Sequence, residues 1–209
     1  MTGRLTAGFL LGICLLSVMP VWAEESLLPA YFDVAGVSGG DVLNLRAGPG
    51  TRYPVVGRLA HDARSIPVIA FDDSRRWARV RNGEGMAWAS LSYLRRQPGQ
   101  PDEHLPQRLH CGGTEPFWGL RIDRREARFE QPGQPAEVLE KRWEGTAVGM
   151  LPHDFGLLLE GKEVAIRAVV QRGQCSDGMS DRLYGFSIRM LVESDDGPPR
   201  LYEGCCGLP

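Results

Sequence analysis

The stretch Leu43-Asn44-Leu45-Arg46-Ala47-Gly48-Pro49-Gly50-Thr51-Arg52-Tyr53-Pro54-Val55-Val56-Gly57 decides the architecture of the first half of the chain. Leu43 and Leu45 alternate with polar residues, a Gly-Pro-Gly turn follows, and a second β-prone run begins at Pro54. Alternation gives a strand one buried face, and glycine and proline end it, so this is strand, turn, strand. The same grammar continues outward through residues 42–45, 54–59, 66–71, 77–81 and 86–89, with turn signals between them. Five such strands predict a small barrel. Asn82-Gly83 predicts a tight hairpin whose two central residues both take positive φ. Gly48 and Gly50 are expected where a Cβ would hinder the backbone, with Asn44 and Arg46 bracing that turn.

The whole chain fits this reading. Its 209 residues include 26 Gly and 15 Pro, which favours short strands and turns over long helices. Hydrophobic side chains make up 43% and the net charge is −2, which excludes a disordered chain and a basic nucleic-acid binder. No nucleic-acid partner is expected.

The start of the chain reads as Arg4, an apolar run over 7–18, then Val21-Trp22-Ala23 before Glu24. This is the pattern of a secretory signal peptide cleaved after Ala23, too short to serve as a span, and it predicts a periplasmic monomer with no transmembrane segment after cleavage. Ile13 before Cys14 makes a poor lipidation box. Loss of Cys14 leaves Cys111, Cys175, Cys205 and Cys206, an even set expected to form two disulfides in an oxidising compartment. Neighbouring cysteines do not readily bridge each other, so two connectivities remain. Alternation along 201–206 favours Cys175 with Cys205 and Cys111 with Cys206. It places Leu201, Glu203 and Cys205 together on one face, the inward one if Leu201 is buried. All four lie after the polar, proline-broken stretch 96–109, read as a linker between two domains.

Beyond the linker, Trp118, Leu120 and Ile122 alternate with other residues, as do Val164, Ile166, Ala168 and Val170, and then Tyr184, Phe186, Ile188 and Met190. Hairpin turns are expected at 160–162 and 195–199, with a last strand over 201–206. Six to eight strands and no helix make residues 110–209 a second antiparallel barrel or sandwich, and the protein all-β.

The stretch 43–57, with Trp77-Ala78-Arg79-Val80-Arg81, Trp88 and Tyr93-Leu94, resembles a bacterial SH3 (SH3b) domain over residues 31–95. One departure is Ala87 where that family usually has Gly before its second Trp. The resemblance implies a non-catalytic module that binds cell-wall peptides (peptidoglycan) or an envelope protein through a shallow aromatic groove. Tyr53, Trp77, Trp88 and Tyr93 are its candidate lining, against the alternative that so small a barrel needs these rings as core. Cys111-Gly112-Gly113-Thr114-Glu115-Pro116-Phe117-Trp118, Cys175-Ser176-Asp177-Gly178-Met179-Ser180-Asp181-Arg182 and Gly204-Cys205-Cys206 resemble an uncharacterised family of bacterial envelope and lipoprotein domains, distantly like the META-type β fold. That resemblance implies a fold and a compartment but no chemistry. Its motif positions are Glu115, Trp118, Asp177 and Asp181.

The sequence contains no convincing catalytic set. The 176–181 loop lacks the EF-hand spacing and is expected to be capped by its own Asp and Ser side chains, with Asp181 paired to Arg182 or a nearby Arg. Glu115 is expected to brace a strand start. A Cys175 nucleophile would need a free thiolate on a helix N-terminus beside an imidazole, and His61, His104, His110 and His153 offer no such arrangement. Zinc spacing and a phosphate loop are absent from the sequence. No metal, cofactor or catalytic residue is expected. The expected function is binding; the alternative is an enzyme or an enzyme inhibitor working through a cleft around Glu115, Trp118 and Asp177.

Overall fold

The computed structural model describes residues 27–149 and 152–209, and the expected leader with Cys14 and the cleavage point after Ala23 lies outside the described residues. The first part holds β1 (Ala30–Val34), β2 (Val42–Arg46), β3 (Val55–Ala60), β4 (Ile66–Phe71), β5 (Trp77–Asn82), β6 (Gly85–Ser90), a single 3₁₀ turn at Leu91–Tyr93 and β7 (Leu94–Arg96). These form one sheet in the order β3-β2-β6-β5-β4-β1-β7. Inward-facing residues of alternating strands build its core, among them Phe32, Leu43, Leu45, Val68 and Val80. Ala78, Ala87 and Ala89 complete that core with small side chains.

Trp77 and Trp88 are therefore not core residues, contrary to the alternative reading of those rings. The positions facing inward on β5 and β6 are alanines and Val80, and the indoles occupy the opposite face. The hairpin also differs in detail from expectation. Asn82 pairs with Gly85, so the two-residue loop is Gly83-Glu84, and only Gly83 has positive φ, at 61°. That is the habit of a type II′ turn. Asn82 instead sends its side-chain amide to the Val56 carbonyl at 3.2 Å.

The second part holds β8 (Leu109–Thr114), β9 (Phe117–Ile122), β10 (Glu126–Glu130), β11 (Glu137–Thr146), β12 (Asp154–Glu160), β13 (Val164–Ser176), β14 (Leu183–Ser194) and β15 (Gly197–Gly207). They pair as neighbours and β15 returns to β8, giving an eight-stranded closed antiparallel barrel rather than a sandwich. The protein is thus all-β. Eight strands leave an interior just wide enough for side chains to fill. Here Leu120, Phe155, Leu157, Phe186, Ile188 and Met190 fill it, each burial worth roughly 1.5–3 kcal/mol.

A cation packs against the barrel core. The Arg172 guanidinium lies 5.1 Å from the Phe155 ring and 5.5 Å from the Phe186 ring. It donates to the carbonyls of Pro152 at 3.0 Å and Asp102 at 3.1 Å. The stretch between the two parts is thereby tied down. Leu105 within it enters the barrel core, with its N–H held by Glu144 at 2.9 Å.

Disulfides join Cys111 to Cys206 and Cys175 to Cys205. Tyr202 and Cys206 face the barrel interior, whereas Leu201 is 68% exposed, so the face read as inward from Leu201 is the outer one. Cys205 lies on that outer face but is covered, and it is bonded to Cys175 of β13. The irregularity between Arg172 and Cys175 lets β13 cross toward β15.

The two parts pack on each other. Pro29 sits against Gly185, where a Cβ would meet its ring, and the Tyr31 ring leans on the barrel core. Tyr31 Oη donates to the Pro209 carbonyl at 3.3 Å.

Candidate functional site

On the β5–β6 hairpin the buried positions alternate, which turns Trp77, Arg79 and Arg81 outward together with Met86, Trp88 and Ser90. The register sets Trp77 opposite Ser90, Arg79 opposite Trp88 and Arg81 opposite Met86. The Arg79 guanidinium stands 5.5 Å from the Trp88 ring, a cation over an indole face. Arg46 of β2 pairs with Trp88 from the other side. Its Nη1 donates to the Thr51 carbonyl at 3.0 Å and the Tyr53 carbonyl at 2.8 Å, so Arg46 does brace the turn after β2. Gly48 there does not have positive φ; its missing Cβ leaves room for the Tyr53 ring, which would stand 2.6 Å from it.

The structure thus places Trp77 and Trp88 on one face with Arg79. Tyr53 lies under Arg52 at 5.0 Å, and Tyr93, 43% exposed, lies on the 3₁₀ turn. Among the described residues the ring pairs in contact are Phe32–Phe71, Trp118–Tyr202 and Phe129–Tyr202, so the four candidate aromatics form no continuous stack.

In the barrel, the motif positions separate. Trp118 points into the core against Tyr202, ring centroids 6.3 Å apart. Glu115 occupies the turn between β8 and β9, exposed, and lines a cavity of about 330 Å³ together with Asp177 and the Cys175–Cys205 bridge. Asp177 caps its own loop: its carboxylate accepts from the N–H groups of Met179 at 3.0 Å and Ser180 at 3.2 Å, and from Tyr184 Oη at 3.0 Å. Partial burial alone would raise its pKa, but these donors outweigh it and hold the carboxyl below its usual range. The Tyr184 phenol is correspondingly pushed up, by burial first and by the bond to Asp177 second. Asp181 is exposed and makes no ion pair with Arg182, whose guanidinium lies instead 4.9 Å from the Tyr184 ring. Among the described residues no group of three or more His, Cys, Asp or Glu side chains could hold a metal ion.

A second cavity, of about 360 Å³, opens between the two parts of the protein. Arg81 of β5 lines it from one side, and His110, Thr114, Asp177, Arg182 and Tyr184 line it from the barrel. Burial, then Arg121, holds the His110 pKa below its ordinary value, so the imidazole is neutral at neutral pH. Arg81 and Arg182 lie about a hundred residues apart in sequence, and only the packing of the two parts unites them.

Residues 41–95 match the family described as bacterial SH3 domain. That stretch contains β2 to β6 and the outward face carrying Trp77 and Trp88. No curated protein and no solved structure matches the chain. The protein is therefore a two-part all-β molecule, a bacterial SH3 domain followed by a disulfide-stapled closed barrel. The SH3 domain and the disulfides are consistent with an extracytoplasmic location. Among the described residues no helix is long and apolar enough to cross a membrane.

Proposed function

We propose that the protein is an exported, non-enzymatic periplasmic binding protein whose SH3 domain engages a cell-wall peptide or an envelope protein through the outer face of the β5–β6 hairpin. The observation that carries this reading is the partly buried Trp77 and Trp88 on the face opposite the core, with the Arg79 guanidinium 5.5 Å from the Trp88 ring and Arg46 paired beside Trp88. Flat, rigid rings supply contact area at low entropic cost, and the Arg79 guanidinium beside Trp88 adds a donor for carbonyl or carboxylate groups of an extended chain. The resemblance of residues 110–209 to bacterial envelope domains supports the same compartment. In this reading the barrel is the partner-specific part and its motif residues are structural: Trp118 in the core, and Asp177 capping the loop.

The test is retention of the oxidised protein on purified peptidoglycan sacculi and on envelope extract. Trp88→Ala and Trp77→Ala are each expected to weaken retention by about tenfold, the loss of one buried aromatic anchor. Retention unchanged in both variants would refute the hairpin face as the binding surface.

A further inference from the structure

Arg81 and Arg182 line both the 360 Å³ cavity between the domains and a smaller one beside it. Among the described residues neither guanidinium has a hydrogen-bonded or ion-paired acceptor, and the contact Arg182 makes is with the Tyr184 ring. Asp177, in the cavity wall, accepts from Met179, Ser180 and Tyr184 and pairs with neither arginine. Arg108 adds to the positive field, since it acts on both Tyr31 and His110. Arg81 and Arg182 thus present guanidiniums to one cavity from separate domains, and the planar guanidinium fork matches the two oxygens of a carboxylate.

We propose that this cavity binds the carboxylate of a small peptide or similar organic acid, gripped between Arg81 and Arg182. The site exists only while the SH3 domain and the barrel are docked. Thr114 offers a hydroxyl, and Tyr184, Leu208 and the covered Cys205 give apolar surface for the organic remainder. The volume lies in the lower part of the range for small-molecule sites. A monoanion is favoured over a dianion because Asp177 stands in the wall and Glu84 acts on Tyr184 close by. Closed ladders on both sides of β15 leave no free edge there, so recognition rests on side chains and not on strand addition. The site uses neither Trp77 nor Trp88; Arg81 belongs to the same hairpin face, and Trp88→Ala separates the two readings.

The experiment is calorimetric titration of the full oxidised chain with N-acetyl-alanyl-alanine, with its C-terminal amide, and with inorganic phosphate. Side-chain NMR of the arginine Nε–H groups runs in parallel. The acid is expected to bind with a Kd of about millimolar or tighter and to shift the Arg81 and Arg182 signals. The amide, Arg81→Ala and Arg182→Ala should each weaken binding by about tenfold or more, the factor for one charge-assisted hydrogen bond. Trp88→Ala should leave the titration unchanged. The proposal is overturned if the amide binds as well as the acid, if neither arginine variant changes the affinity, if phosphate binds more tightly than the peptide acid, or if no heat or shift appears. Circular dichroism of each variant separates a lost site from a lost fold.

Discussion

Removing the Cys111–Cys206 bridge should cost the barrel more than removing Cys175–Cys205. The first joins residues 95 apart in sequence and the second residues 30 apart. If the stabilisation comes from loop closure in the unfolded chain, these separations correspond to about 4.7 and about 3.7 kcal/mol. The bridges share one end, because Cys205 and Cys206 are adjacent. With Cys175–Cys205 intact, the loop closed by Cys111–Cys206 shortens to about 65 residues and its contribution falls only to about 4.3 kcal/mol. Cys206 and Cys111 are also both buried in the barrel wall, so Cys111→Ala with Cys206→Ala leaves a small void that adds to the loss. The assay is urea-dependent hydrogen exchange read at the amides of Leu157 and Phe186 in the barrel, with Val68 of the SH3 core as the internal control. A residue-resolved probe is needed because two cores in one chain need not unfold together. Barrel protection should fall by about 4 kcal/mol or disappear, while Val68 keeps most of its own. A fall of less than about 1 kcal/mol, or a larger loss in the Cys175→Ala, Cys205→Ala double variant, would refute the loop-closure reasoning.

Three further outcomes follow from the geometry. Gly204→Ala would place a Cβ inside contact distance of the Gly112 carbonyl and 2.7 Å from the Trp118 ring, and backbone cannot swing aside; barrel stability measured by urea unfolding should drop by about 1–3 kcal/mol, and an unchanged midpoint would contradict it. Arg172→Met should cost about 2 kcal/mol, through the lost cation–ring contacts and the two unbonded carbonyls. It should also make residues 97–108 a site of rapid limited proteolysis, and the same cleavage rate as wild type would count against the strap. Asp177 has a folded pKa below its ordinary 3.8, so its unfolded form binds the proton more readily. The stabilisation is therefore complete above that value and lost as pH falls through the folded one. In an NMR titration the Met179 and Ser180 amides should report a midpoint below 3.8 that vanishes in Asp177→Asn, and a midpoint at or above 3.8 would reject the capping account.

Alternation made most strands legible. The runs at 42–45, 66–71 and 77–81 are within a residue or so of β2, β4 and β5, because each has an unbroken apolar face. β10 alternates over only two apolar residues, Ala127 and Phe129, between charged ones, and β11 buries Leu139 alone, so both are strands chiefly by pairing with their neighbours. Leu201 misled for a related reason. Leucine and tyrosine carry similar apolar weight, and only the closed barrel shows that Tyr202 is the inward one. Asp177 as a loop cap was legible from the Asp-Gly and Ser spacing, since those bonds are local. The outward turn of Trp77 and Trp88 follows once the alanines between them are recognised as core. The cavity of Arg81 and Arg182 had no signal in the sequence, because its walls meet only through the docking of two domains.

The closed barrel and the open SH3 sheet differ in what they offer to another copy of the chain. Every strand from β8 to β15 has a partner on each side, although β15 meets β8 only over Cys205–Gly207. The SH3 sheet ends at β7, three residues long, and at β3, six residues long. Val55 and Val56 are exposed on β3, and Arg58 is the charge that interrupts them. Self-association by strand addition, at high concentration or after an Arg58 loss, is therefore favoured at β3, the longer open end of the SH3 sheet, over the closed and stapled barrel.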